Sequence, residues 1–225
     1  QKCNKMKEDA ELLYKAIVKG NLNNVKYYIE EKQIDTSNII YDGYLPVEIA
    51  ATHTKMDIVK YLIQKGVKLE GNSIYGESIL NWSVRRGDWS LVDLLLDANF
   101  DLSFVNTWSG ENAIHFAASN AYQVSYFEKM IVLRPDIINS RNSSGNTPLH
   151  IAIETTHVDH VRVLIKHGAL LNLTNSEGMT PLLHAIKYCS FKIVMMLLRE
   201  NVFVSGVTKE NRSALHETIL IPFWF

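Results

Sequence analysis

The sequence repeats itself at a spacing of about 33 residues, and this period limits the possible fold more than any other feature. The clearest unit begins Gly145-Asn146-Thr147-Pro148-Leu149-His150, and Gly178-Met179-Thr180-Pro181-Leu182 follows 33 residues later. Weaker copies begin at three earlier glycines and one later asparagine, namely Gly43, Gly76, Gly110 and Asn211. One short unit cannot bury its own apolar face, so we expect the units to stack on their neighbours.

Local sequence rules predict two helices and a polar turn in each unit. Thr147 is a good N-cap because its hydroxyl can accept a hydrogen bond from a free backbone N–H group, and Pro148 fits the first helical position, where no N–H is needed. A second apolar helix follows and ends near Gly168, which can adopt the left-handed conformation of a helix C-cap. The pattern predicts the same kind of helix end at Gly66, Asn99 and Asn201.

These units resemble the ankyrin repeat, with its 33-residue period and Gly-x-Thr-Pro-Leu-His signature, over roughly residues 8–216. The resemblance implies an all-α fold, an ankyrin-repeat solenoid of stacked helix–turn–helix units whose turns project as hairpins. It divides the chain into an N-terminal capping ankyrin-like repeat at 1–41, five repeats at 42–74, 75–108, 109–143, 144–176 and 177–209, and a partial seventh repeat or atypical tail at 210–225.

Departures from the pattern lead to further expectations. The second repeat has Leu45 in place of Thr, and the third begins at Ser78 without Pro or His, so we expect both helix caps to be weaker by ~1 kcal/mol. The fourth repeat has two extra residues near Leu133-Arg134-Pro135-Asp136, consistent with a longer connection. Residues 217–225 show no second-helix pattern, and Pro222 would interrupt a helix. We therefore expect a piece of a longer array, or a tail that folds back over the last unit, with C-terminal units that fray first.

Composition argues against several classes of protein. With a formal net charge of −1, the chain lacks the excess of basic residues that is typical of a nucleic-acid binder. No apolar run approaches the ~18 residues of a membrane span, so we expect no membrane insertion. Only Cys3 and Cys189 are present, which excludes a disulfide scaffold and suits a reducing compartment. We accordingly expect a monomeric, cytoplasmic protein.

No arrangement of residues predicts an enzyme, a metal site or a cofactor. The chain contains no Gly-x-Ser-x-Gly, no His-Glu-x-x-His and no phosphate-binding loop. His115, His150 and His216 recur at one repeat position, which indicates a structural role, and the resemblance implies bonds within and between units. Three further histidines lie around one helix, but no Cys or carboxylate cluster completes a zinc site with His157, His160 and His167.

The resemblance also predicts where a partner protein binds. Ankyrin arrays contact proteins through a concave face of hairpin tips and first helices, and the variable positions of that face give the candidates Tyr41, Tyr44, His53, Tyr75, Glu77, Arg85, Arg86, Trp108, Glu111 and Asn120. Tyr, Trp and Arg are enriched in binding hot spots, whereas the fifth repeat is small and polar at these positions. We therefore expect a surface centred on Tyr75, Arg85, Arg86 and Trp108. The alternative is that the aromatic side chains only cover the hairpins against solvent.

The leading hypothesis is a non-enzymatic module that binds an unidentified partner protein. One alternative is the ankyrin segment of a secreted toxin resembling the latrotoxin-type arrays. Another is the ankyrin region of a larger channel, effector or multi-domain enzyme, which a transmembrane or catalytic segment after residue 225 would support. Occupied N-glycosylation sites would favour the secreted toxin, and four positions fit the acceptor pattern, namely Asn81, Asn142, Asn172 and Asn211.

Overall fold

The computed structural model describes residues 2–34, 36, 41, 43–67, 78–120, 123–188, 190–200, 202, 204, 207–210 and 213. Across these residues the secondary structure is helical, and the only strand-like pairings among them are the isolated bridges Tyr41–Tyr44 and Val207–Ser213. The all-α architecture expected from the repeats is confirmed. The chain divides into two units, Gln1–Asp101 and Leu102–Phe225.

The first unit is built from consecutive helix pairs. Its described helices are α1 (Lys2–Lys19), α2 (Leu22–Lys26), α3 (Pro46–Thr52), α4 (Met56–Gln64), α5 (Ile79–Arg86) and α6 (Trp89–Asp97), and a π-helical turn, Tyr27–Glu31, continues α2. Helix α1 packs on α2 and α3, α2 on α4, α3 on α4, and α5 on α6. Their inner faces bury apolar side chains such as Leu13, Val47 and Leu62, which is how stacked units satisfy faces that none could bury alone.

The second unit shows the stacking most clearly. Its described helices are α7 (Ala113–Ser119), α8 (Val124–Leu133), α9 (Pro148–Glu154), α10 (Val158–Lys166), α11 (Pro181–Lys187) and α12 (Phe191–Leu198). The first helices α7, α9 and α11 pack in one row, and the second helices α8, α10 and α12 pack in another. Ala117, Ala152 and Ala185 recur at one repeat position and are at most 2% exposed, so small side chains let the first helices approach closely. Each helix pair lies within one predicted repeat, and the repeat boundaries stay a prediction.

The helix starts follow the sequence signature in most repeats. The Thr180 hydroxyl accepts a hydrogen bond from the Leu183 N–H at 3.3 Å, and the Ser78 hydroxyl accepts one from the Asn81 N–H at 3.1 Å. The third repeat therefore keeps a side-chain cap, because Ser78 offers the same kind of acceptor as Thr, and the expected weakening of that cap stays a prediction. In the second repeat Leu45 offers no side-chain cap, and the Glu48 carboxylate instead accepts the Leu45 N–H at 2.7 Å.

The second helices end in the predicted left-handed conformation. Gly66, Gly168 and Asn99 have φ values of +66°, +82° and +55°, while Asn201 lies outside the described residues. The longer connection of the fourth repeat is confirmed, since a short 3-10 helix, Pro135–Ile137, follows α8. The expected fraying of the C-terminal units stays a prediction, and residues 214–225 also lie outside the described residues.

Candidate protein-binding surface

Three projecting turns of the second unit, here called fingers, comprise residues 106–111, 142–146 and 175–179. Each finger begins with an asparagine whose Oδ1 accepts hydrogen bonds from two backbone N–H groups of its own turn, at 2.9–3.0 Å. The donors are Trp108 and Ser109 for Asn106, Ser144 and Asn146 for Asn142, and Glu177 and Met179 for Asn175. Such side-chain bonds fix a turn without any help from a ligand. The fingers are therefore held in shape before a partner binds.

Successive fingers are joined through their backbones. The N–H groups of Ser143 and Ser176 donate to the carbonyls of Ser109 and Ser144 at 2.8 and 3.0 Å, and the Lys209 N–H donates to the Glu177 carbonyl at 2.9 Å. This approach requires glycine, because a Cβ on Gly145 would lie only 2.7 Å from the Ser176 nitrogen. A Cβ on Gly110 would lie 2.8 Å from the Ser143 nitrogen, and one on Gly178 would lie 2.8 Å from the Lys209 nitrogen. The glycine of the sequence signature therefore serves the packing of neighbouring fingers as well as the turn itself.

Two buried histidines tie first helices to fingers. Nε2 of His115 lies 3.2 Å from the Asn146 carbonyl oxygen, and Nε2 of His150 lies 3.1 Å from that of Met179. Burial lowers the pKa of both histidines to about 4, so each ring is neutral near pH 7 and donates its Nε2 proton to the carbonyl. The predicted structural role is confirmed for this pair. His216, the third member of the series, lies outside the described residues.

Within the second unit, Trp108 is the predicted site residue that is most open to solvent. It lies on the first finger with 69% of its surface exposed, and its backbone N–H donates to Asn106 Oδ1 at 2.9 Å. Glu111 is partly buried on the same finger, where the Asn142 side-chain amide donates to it at 3.4 Å. Asn120 is partly buried and caps the end of α7. Trp108 thus combines a large exposed side chain with a rigid backbone.

The predicted site residues of the first unit differ in their exposure. Tyr41 and Tyr44 exchange two backbone hydrogen bonds at 3.1 and 3.0 Å, and the Tyr41 ring stacks on Tyr14 with ring centres 4.0 Å apart. This stacking agrees with the alternative in which a tyrosine only covers its hairpin. His53 is exposed at the end of α3, and its Nδ1 lies 3.0 Å from the Ile49 carbonyl oxygen.

Two exposed arginines, Arg85 and Arg86, end helix α5. The Arg86 guanidinium lies 4.8 Å from the centre of the Trp82 ring, a cation–π distance that favours a fixed position for the side chain. Tyr75 and Glu77 lie outside the described residues. Arg85 and Arg86 belong to the first unit and Trp108 to the second. The single patch centred on these residues therefore stays a prediction.

The second unit contains polar contacts that the sequence hypothesis left out of its chosen site. The Tyr188 hydroxyl donates to Glu154 at 2.9 Å, and Lys187 pairs with Glu177 at 3.2 Å. Burial and the neighbouring carboxylate of Glu154 raise the pKa of Tyr188 to about 12. Lys187 also lines a cavity of about 290 Å³ beside the third finger. The signal was available, since Glu154 lies one 33-residue period before Lys187, the chain neighbour of Tyr188.

The described residues contain no cluster that would hold a metal ion. His157 and His160 face each other with ring centres 5.4 Å apart, but His157 lies within 3.2 Å of the Ala118 carbonyl oxygen and His160 is buried. His167 instead approaches the Glu128 carboxylate at 2.9 Å. No helix in the described part of the chain is long and apolar enough to cross a membrane.

Comparison with known families settles what the repeats are. A model of three ankyrin repeat copies matches residues 80–175, and a model of many ankyrin repeat copies matches residues 154–198. Together they cover more than half of the 225 residues. The chain belongs to the ankyrin repeat family. Ankyrin repeat domains are generally non-catalytic protein-interaction modules, and this fold is shared by the solved structures similar to the chain.

The ankyrin repeat domain of Bcl-3, a member of the IkappaB family, is similar at 21% identity and a TM-score of 0.79, with 92% of each chain covered. A second similar structure comes from the complex of the predatory endopeptidase Bd0816 of Bdellovibrio bacteriovorus with immunity protein Bd3460, at 27% identity and a TM-score of 0.71 over 84% of this chain and 98% of that one.

Among curated relatives, a putative ankyrin repeat protein of Fowlpox virus, FPV031, is 26% identical over 73% of this chain and 50% of its own length. Alpha-latrocrustotoxin-Lt1a of Latrodectus tredecimguttatus is 26% identical over 70% of this chain and 12% of its own length. The chain therefore spans at most half the length of these relatives.

Proposed function

We propose that this ankyrin repeat protein is a non-enzymatic module that binds a partner protein through its fingers and first helices. The observation that carries the proposal is Trp108, whose side chain is 69% exposed on a finger fixed by Asn106. An isolated exposed tryptophan is costly to leave in water and is a frequent anchor of protein interfaces. A rigid turn lowers the entropy lost on binding, so the anchor is already positioned.

The exposed cations of the first unit supply a second type of anchor. Arg86 is held against Trp82, and the neighbouring Arg85 is exposed at the same helix end. We propose that these arginines and Trp108 each contact a partner protein, and that Tyr44, His53 and Asn120 add to the contact surface of their own units. The solved complex with an immunity protein supports this use of the fold, because a chain similar to ours takes part in a protein–protein complex.

Affinity capture from a cell lysate, quantified by mass spectrometry, tests the proposal. The native chain is compared with a double variant, Arg86→Ala plus Trp108→Ala, after circular dichroism has shown both to be folded. Tyr27→Ala is the matched control, because Tyr27 is also an exposed aromatic residue, with 47% of its surface open. We expect one or more proteins to be lost from the double variant and retained by the control. Identical captured proteins for all three chains would refute the proposed surface.

The toxin alternative makes a different prediction, because glycosylation requires an exposed asparagine. Asn81 is only 1% exposed. Both polar atoms of the Asn142 side chain form hydrogen bonds within the fingers, since Oδ1 accepts from the Asn146 N–H and Nδ2 donates to Glu111. These two acceptor sites are therefore unsuitable in the folded chain, which weakens one argument for secretion. We propose a cytoplasmic, monomeric protein, and a glycan found on Asn172 by mass spectrometry would favour the secreted alternative instead.

A further inference from the structure

A groove between α10 and α12 lies on the row of second helices and has both apolar and basic walls. Its cavity measures about 530 Å³. Arg162 and Ile165 of α10 line one side, and the other side is lined by residues of α12 and the turn after it, among them Phe191, Lys192, Met195 and Arg199. The Phe191 side chain is the most exposed of the apolar ones, since 76% of its surface is open, compared with 39% for Met195. None of these residues belongs to the fingers or to the proposed partner surface.

The apolar character is specific to the last helix of the row. Helices α8, α10 and α12 begin at Val124, Val158 and Phe191, so their fifth residues occupy one repeat position. Those fifth residues are Glu128, Arg162 and Met195, two charged side chains followed by an apolar one. A methionine at a position where neighbouring repeats carry charge is not required by the packing of the repeat.

The two cations near α12, Lys192 and Arg199, lie on the same side of the helix as the methionines. Lys192, Met195, Met196 and Arg199 follow the spacing i, i+3, i+4 and i+7, which places them on one side of the helix. At a rise of 1.5 Å per residue the two cations lie roughly 10 Å apart along the axis, with the methionines between them. Arg199 keeps a helical backbone, with φ −75° and ψ −15°.

The charge of the groove is unbalanced. Within the described residues Lys192 and Arg199 form no ion pair, whereas Arg162 pairs with Asp159 on its own helix. Glu200 is the single acidic residue that lines the cavity. The chain as a whole has a net charge of −1, so this excess of positive charge is local. A purely apolar partner would strip water from these cations without compensation, whereas carboxylates would pair with them.

We propose that this groove binds an amphipathic helix of another protein that carries acidic residues seven positions apart and apolar residues between them. Its apolar side chains pack on Ile165, Phe191 and Met195, and its two carboxylates pair with Lys192 and Arg199. Binding of a helix in an apolar groove is an established mode of recognition, and the flexible thioether of methionine adapts to different apolar side chains. The groove acts separately from the fingers, so loss of one surface leaves the other intact.

Fluorescence anisotropy with designed helical peptides tests the proposal on the full chain. The first peptide has Glu at i and i+7 and Leu at i+3 and i+4, the second has Lys in place of both Glu residues, and the third has Ser in place of both Leu residues. We expect the first to bind at least about tenfold more tightly than the other two. The groove variant, Lys192→Glu plus Arg199→Glu, should weaken the first peptide by about tenfold or more.

A matched control separates the groove from the overall charge. The control variant, Lys19→Glu plus Lys60→Glu, changes the net charge by the same amount at exposed positions of the first unit. We expect it to bind the acidic peptide as the native chain does.

Equal weakening in both variants, or a dissociation constant of the acidic peptide above about 1 mM, would overturn the proposal. A dimer in sedimentation velocity that the groove variant abolishes would assign the groove to a second copy and also overturn it. Peptide binding that appears only after removal of residues 217–225 would assign it to the chain's own end, with the same consequence.

Discussion

Replacement of His160 by leucine should reduce the stability that the second unit loses in mild acid. His160 is 2% exposed in α10, where its ring lies 4.7 Å from the ring of Phe127 and 5.4 Å from that of His157. Its Nε2 has no hydrogen-bond partner among the residues that the structure describes. The pKa of His160 is lowered to about 4, chiefly by burial and also by the nearby His157, while Asp159 acts in the opposite direction. The ring is therefore neutral in the folded chain down to about pH 4.

The sign of the pH effect follows from the two pKa values. In the unfolded chain His160 titrates near its ordinary pKa of about 6.5, so below that pH the unfolded state binds more protons than the folded state. The free energy of unfolding therefore falls as the pH falls from about 6.5 to about 4. A folded-state pKa of about 4 makes this loss about 2 kcal/mol at pH 5 and about 3 kcal/mol once both states are protonated.

Leucine has a similar volume and no nitrogen to leave without a partner. At pH 7.5 we expect His160→Leu to match the native chain or to gain about 1 kcal/mol. At pH 5 the variant should be more stable than the native chain by about 2 kcal/mol beyond that difference. Other buried histidines with lowered pKa values remain in both chains, so only the difference between the chains reports on His160.

Urea unfolding followed by circular dichroism at pH 7.5 and pH 5.0 measures the effect, and hydrogen exchange of the α8 and α10 amides confirms that it lies in the second unit. His53→Leu is the control, because His53 is exposed and belongs to the first unit. That control should lose as much stability as the native chain on acidification. The reasoning fails if His160→Leu loses the same free energy as the native chain between the two pH values.

Four further substitutions test the backbone and the second repeat. Gly145→Ala should lower the free energy of unfolding by at least about 2 kcal/mol, because its Cβ would meet the Ser176 nitrogen at 2.7 Å. Gly168→Ala should lower it by only about 1 kcal/mol, because Gly168 has a φ of +82° but no atom beyond its chain neighbours lies within 4 Å of an added Cβ. Equal losses for the two variants in urea unfolding would contradict this. Thr156→Asn should stabilise the chain by about 0.5–1 kcal/mol, measured as a higher urea midpoint, because Thr156 is β-branched at a φ of +58°. Burial raises the pKa of Glu48 to about 7. The stability that its protonation contributes is therefore fully present below about pH 4.5 and is lost as the pH rises through 7. Glu48→Gln should remove this loss and be about 1–3 kcal/mol more stable than the native chain at pH 8, and a stability difference between variant and native chain that is the same at pH 5 and pH 8 would speak against it.

The repeated helices could be predicted because their signals are local and occur several times. Thr followed by Pro marks a helix start, and Gly or Asn marks a helix end, whatever the neighbouring repeat contains. The second repeat shows the limit of such rules. The absence of Thr at Leu45 correctly indicated a missing side-chain cap, but the sequence rules did not show that Glu48 would accept the free Leu45 N–H from three residues ahead.

The candidate surface was harder to predict, because residue type does not determine exposure. Tyr41 and Trp108 were both candidates because they are aromatic residues near hairpins, yet Tyr41 stacks on Tyr14, 27 residues away in sequence, and Trp108 is exposed. The contact that distinguishes them is tertiary and leaves no local pattern. Polar pairs such as Glu154 and Tyr188 were set aside for the same reason, since their contact joins two repeats.

In a repeat array the backbone positions recur, so a function specific to this chain must reside where one repeat departs from the others. Trp108 departs in this way, because the next finger carries Ser143 at the equivalent place, 35 residues later. Met195 departs from Glu128 and Arg162 in the same manner. Neither change is needed by the packing, since both side chains are exposed. An exposed apolar residue at a position where sister repeats are polar offers no stability to the fold, and this is the physical reason to look for partners at these two places.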